Sequence, residues 1–169
     1  MAHRFWFRLV LLLVMIFSGH IVYAADKMVI GWIEQVRLEA VGLTFLAKID
    51  TGADNSSIKA EILEKYQRDG VEWIRFRITN KQAQSVVLER EVVRYANIKA
   101  KKGPRIRRPV VLLGLCLGKD YRKIQVNLAE RKRFKYHMLI GRSFLKGFYL
   151  VDSELKHTAS PDCNDKEKN

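Results

Sequence analysis

Apolar residues along this chain fall in short runs, several of which alternate with polar residues at the period of a half-buried strand. Met28, Val29, Ile30, Trp32 and Ile33 predict a strand that Val36-Arg37-Leu38 extends past a kink. Leu43 to Ile49 predicts a second strand, so the domain opens on a hairpin. Ile58, Ile62 and Leu63 share one helical face, and with Ser56 or Ser57 as cap they predict a short helix over Ile58 to Tyr66. Val71 to Thr79 alternates again, with Ile74 out of step, and Ser85 to Tyr95 returns beside it. Val110 to Leu117 and Tyr121 to Leu128 flank Gly118-Lys119-Asp120, a hairpin signal. Phe134, Tyr136 and Met138 to Ile140 re-enter the core, Ser143 to Lys146 predicts a short helix, and Phe148 to Val151 a closing strand. The pattern is that of an all-β domain with one or two short helices.

The two ends read differently. Arg4 and Arg8 flank the charge-free apolar run Leu9 to Phe17, and Val22-Tyr23-Ala24 ends on a small residue, as a secretory signal peptide does over residues 1–24. An uncleaved inner-membrane signal anchor is the alternative, against which Ser18, Gly19 and His20 interrupt the run. Residues 25–152 then form one domain, and the polar stretch 153–169 is expected to be a disordered tail.

Charge narrows the partners. Thirty-one Lys and Arg against eighteen Asp and Glu leave a formal +13, a field that draws anionic partners without naming them. For an exported, periplasmic chain this points away from nucleic acid, toward acidic peptides and weak contact with anionic envelope surfaces. The densest cations, Lys99, Lys101, Lys102, Arg105, Arg107 and Arg108, surround Gly103-Pro104. They read either as a solvated face or as a tip that closes over a substrate bearing carboxylates. Cys116 lies in an apolar strand and Cys163 in the polar tail; a buried free thiol and an incidental residue are expected, although the compartment permits a disulfide.

One stretch carries chemistry. The apolar strand ending at Ile49 delivers Asp50 into the small-residue turn Thr51-Gly52-Ala53-Asp54, and Leu139-Ile140-Gly141-Arg142 follows far downstream. Together the two motifs resemble the retropepsins, aspartic peptidases of retroviral type. With Lys48, Arg108-Pro109-Val110-Val111 and Val151-Asp152, the pattern is closer still to a bacterial branch often labelled ATP-dependent zinc proteases. The resemblance spans about residues 28 to 152 and implies a retropepsin-like acid protease barrel.

It also implies roles. Peptide hydrolysis in that family needs two carboxyl groups sharing a proton, and one Asp-Thr-Gly per chain implies a homodimer with Asp50 from each subunit. Thr51 is assigned a contact across the dimer axis and Gly52 a carbonyl that receives substrate. Asp54 and Arg142, supported by Ala53 and Gly141, are assigned a bracing ion pair; if that pair is buried, loss of either member costs roughly 3–5 kcal/mol. The basic tip falls where the family's flap covers the cleft, so Lys101, Lys102 and Arg105 are candidate substrate contacts. Strand alternation adds Lys48, on the same face as Asp50. The expected activity is endopeptidase cleavage of extended, glutamate-rich peptides; the alternative is a catalytically inactive basic module that binds peptide or envelope. No cofactor or metal is expected: there is no His-Glu-x-x-His and no glycine-rich phosphate loop, and His137 reads as structural or surface.

Overall fold

The computed structural model describes residues 26–98, 104–130 and 135–163. The expected signal peptide and the candidate substrate contacts Lys101 and Lys102 lie outside the described residues. The domain is all-β, with eleven described strands, a one-turn 3-10 helix at Glu39–Val41 and a single α-helical turn. In chain order the strands are β1 (Met28–Gly31), β2 (Ile33–Leu38), β3 (Leu43–Ile49), β4 (Ser56–Arg68), β5 (Val71–Thr79), β6 (Ser85–Glu91), β7 (Arg94–Ile98), β8 (Ile106–Leu117), β9 (Asp120–Ala129), β10 (Met138–Ile140) and β11 (Tyr149–Asp152). The helix, α1, spans Arg142–Leu145.

Strand β10 closes the architecture. It pairs in parallel with β3 and antiparallel with β4, while β3 continues through β2, β8 and β9 back to β4. The pairings therefore run round a ring, and the core lies inside it: Phe45, Ala47 and Ile49 of β3, Val111, Leu113, Leu115 and Leu117 of β8, and Met138 and Ile140 of β10 are buried. Hairpin β5–β6 extends the sheet from β4, and β7 lies along β8. Among the described residues no helix is long and apolar enough to cross a membrane.

Several expectations are corrected. Residues 58–66 are strand, not helix: β4 borders β9 and β10 at its start and β5 along its length. A register shift between Ile62 and Glu64 absorbs the adjacent Ile62-Leu63 that mimicked a helical face. In β5 the buried set is Ile74, Phe76 and Ile78, so Ile74 keeps the register and Val71 faces out. The first strand breaks at Trp32, and the return strand breaks between β6 and β7.

The tail is also corrected, as far as Cys163. Cys116 and Cys163 form a disulfide, with Cα atoms 5.9 Å apart. Residues 153–163 run as a strap beside the start of β2, where Trp32 N–H donates to Leu155 O (3.0 Å) and His157 N–H to Ile33 O (2.8 Å). The fully buried carboxylate of Glu34 accepts bonds from Gly31 N–H, Thr158 N–H and hydroxyl, and Ala159 N–H. Arg37 holds the carbonyls of Pro161 and Cys163. A polar segment is ordered here because its backbone groups are satisfied by buried side chains, a partnership that composition does not reveal.

Candidate active site

Ile49 is the last core residue of β3, and the chain leaves the sheet at Asp50, half-buried where Thr51 and Gly52 are exposed. Asp50 N–H donates to Ile140 O (2.8 Å) and its carbonyl accepts from Ala53 N–H (3.2 Å), closing the turn. Among the described residues its carboxylate accepts one hydrogen bond, to Oδ1 from Gly52 N–H at 3.1 Å. The acid is thus oriented by the backbone of its own turn while keeping most of its lone pairs free.

The brace comes from the other end of the chain. Gly141 N–H donates to the buried Ser56 hydroxyl (3.1 Å), and α1 begins against the turn, with Arg142 N–H on Ala53 O (2.8 Å) and Ser143 N–H on Asp54 O (2.9 Å). Turn carbonyls thereby satisfy N–H groups that a helix start leaves unpaired. A side chain at 141 would put its Cβ 2.7 Å from the backbone of Asn55, so this close approach requires glycine. The Arg142 guanidinium donates to Thr51 O (2.7 Å) and forms an ion pair with Asp54. In the single subunit the pair is open to solvent, the side chains 48% and 77% exposed, so the burial that would make it costly to break does not come from this chain alone.

Lys48 is exposed on the face of β3 opposite the core, the face that continues to Asp50. Arg105 is exposed just before β8. A row of directly paired residues crosses the sheet on that same face: Lys48, Leu139, Ser57, Asn127, Val110 and Arg94. At its far end Arg94 reaches back to Asn55, one residue beyond the turn, at 3.2 Å. Sequence reading passed over Arg94 and Asn55 and took Ser56 only as a possible helix cap; the strand register is what joins Arg94 to the Asp50 turn.

No zinc site fits the described residues. Among the described residues the one group of three potential ligands is Glu39, Cys116 and Cys163, and its two sulfurs are bonded to each other. His137 Nδ1 lies 2.8 Å from Thr79 O, a structural contact.

The RimB-like family, described as retropepsin-like aspartic endopeptidase RimB, matches residues 29–162. This chain belongs to that family. Beyond the RimB-like match, a Legionella pneumophila protein of unknown function, Lpg0085, superposes with a TM-score of 0.68 at 34% identity, over 80% of this chain and all of that one. Curated relatives include a "Probable alpha-L-glutamate ligase" of Parasynechococcus marenigrum, 34% identical over 78% of this chain, and one of Shewanella pealeana, 31% identical over 75%. The chain spans 29% of the length of each of these ligases.

Proposed function

We propose that this RimB-like chain is an exported, periplasmic aspartic endopeptidase that works as a homodimer and cleaves extended, glutamate-rich peptides. The observation that carries the reading is Asp50, half-exposed at the end of a buried strand, held by Gly52 N–H and braced through Ile140, Gly141 and Arg142. Two such carboxyls facing one another share a proton. The ionised one takes a proton from water as the water oxygen bonds to the scissile carbonyl carbon, and the protonated one gives its proton to the carbonyl oxygen. Collapse of the tetrahedral species, with a proton delivered to the amide nitrogen, breaks the C–N bond.

Because one chain holds one Asp-Thr-Gly, the second carboxyl comes from a second copy. The exposed apolar residues Met28, Val29, Phe148 and Leu150, on and beside the two-stranded β1–β11 sheet, support such a contact. The substrate class rests on the positive charge of the chain, on Lys48 beside Asp50, and on relatives whose names say that they handle glutamate. The ligase name belongs to much longer proteins, and only the substrate chemistry is taken from it.

Mass spectrometry of a glutamate-rich peptide incubated with the mature chain tests the reading, with molar mass by light scattering. Internal cleavage by a dimer that vanishes in Asp50→Asn is expected. Equal turnover in that variant, or turnover by a strict monomer, overturns it.

A further inference from the structure

Arginines on this domain fall into two groups. Arg37, Arg68, Arg75, Arg77 and Arg142 each lie within ion-pair distance of a Glu or Asp. Arg94 and Arg108 are among those with no such partner among the described residues, and both belong to the β7–β8 hairpin, from which Arg94 reaches Asn55 beside the Asp50 turn. The Arg94 guanidinium is nevertheless held in place: Nε donates to Gln125 Oε1 (2.7 Å) and Nη2 to Asn55 Oδ1 (3.2 Å). Both acceptors are neutral amide oxygens, so they orient the cation without cancelling its charge.

Arg108 is the complementary case. It is half-buried, no hydrogen-bond acceptor is found for it among the described residues, and burial pulls its guanidinium below the usual arginine range with no anion to offset the cost. The β7–β8 register sets Arg94 opposite Val110 and Ala96 opposite Arg108, so the two arginines are diagonal neighbours on one face, about 7–8 Å apart at the backbone. Long side chains bridge that distance. The face is the one that runs without interruption through Asn127, Ser57 and Leu139 to Lys48. Val111 and Leu113, by contrast, point into the core.

We propose that Arg94 and Arg108 form a carboxylate-binding subsite on the face of the β7–β8 hairpin that continues across the sheet to Lys48, taking a carboxylate of an extended acidic peptide. A glutamyl side chain and a free chain end offer the same group, and a guanidinium fork receives either through two parallel N–H bonds. The half-buried Arg108 favours a bound anion because the anion restores a charge interaction that solvent no longer supplies, while Arg94 arrives already oriented. The subsite deepens the peptidase reading and rests on it for the peptide nature of the ligand.

The test is binding in the Asp50→Asn background, where turnover does not interfere, read by fluorescence anisotropy. The probes are a C-terminally amidated oligoglutamate peptide, its amidated glutamine counterpart and the glutamine peptide with a free carboxyl end. Arg94→Gln and Arg108→Gln should each weaken binding of the amidated glutamate peptide on the order of ten- to a hundredfold and leave the amidated glutamine peptide unchanged. Arg108→Lys keeps the charge but not the fork and should recover only part of the loss. Weakening confined to the free-ended glutamine peptide supports the subsite with the chain end as its ligand. Binding of both the amidated glutamate peptide and the free-ended glutamine peptide equal to the parent in Arg94→Gln and in Arg108→Gln overturns it. Arg94 is exposed, so Arg94→Gln carries the test if Arg108→Gln does not fold. Wild-type chain that fails to cleave while Asp50→Asn shows arginine-dependent binding removes the peptidase reading and keeps the subsite. Cleavage undiminished in both arginine variants does the reverse.

Discussion

Two carboxylates on adjoining strands show how one fold commits one acid to structure and leaves another with its acceptor capacity open. Glu34 on β2 is fully buried and accepts four hydrogen bonds, three on Oε1 and one on Oε2. Asp50, at the end of the neighbouring β3, is half-buried and accepts one. Each oxygen of Glu34 is committed to holding the strap, so it has little capacity left for a substrate or a water molecule. The single bond to Asp50 sets its direction and leaves most of its acceptor sites open. Saturation of an acid by backbone donors marks a brace; its absence in an otherwise constrained turn marks a candidate reagent.

The comparison breaks most sharply if Asp50 is dispensable. Asp50→Asn should lower peptide turnover by roughly 10²–10⁴-fold with little change in the urea midpoint, since its carboxylate supports one local bond. Glu34→Ala should do the opposite, costing about 3 kcal/mol or more in urea denaturation because buried N–H donors lose their acceptor. Reduction of Cys116–Cys163 should lower stability by about 2–4 kcal/mol, consistent with a crosslink spanning 47 residues, while the folded fraction keeps its turnover. Lost turnover at unchanged stability would instead couple the strap to Asp50, through Trp32, whose carbonyl accepts from Ile49 N–H. The smallest effect is expected at the ion pair. Asp54→Asn should cost no more than about 1 kcal/mol in dilute, monomeric protein because both side chains are exposed there. A larger loss that grows with protein concentration would show that a second copy buries the pair.

Motif and alternation made the turn legible before any coordinates. Asp50, Gly52, Asp54, Gly141 and Arg142 are local in two short stretches, and their spacing within each stretch carries the information. Strand boundaries followed hydrophobic alternation to within a few residues for β3, β9 and β11. Where alternation was interrupted, the reading failed: the register shift in β4 set Ile62 beside Leu63 and imitated a helix. The docked tail was illegible for another reason. Ser153 to Cys163 has no apolar period, and its order depends on Glu34, Arg37 and Cys116, more than forty residues away in the chain in every case. Arg94 was missed because nothing near it in sequence distinguishes it from other surface cations; its meaning lies in the row of paired strands that ends at Lys48.

The wedge of β10 between β3 and β4 also sets when the Asp50 turn can be braced. Asp54 and Arg142 stand 88 positions apart, so a nascent chain exposes its aspartyl loop long before the segment that rigidifies it has left the ribosome. Fragments ending ahead of Met138 therefore carry the whole Asp-Thr-Gly motif without the β10 and α1 contacts that brace it.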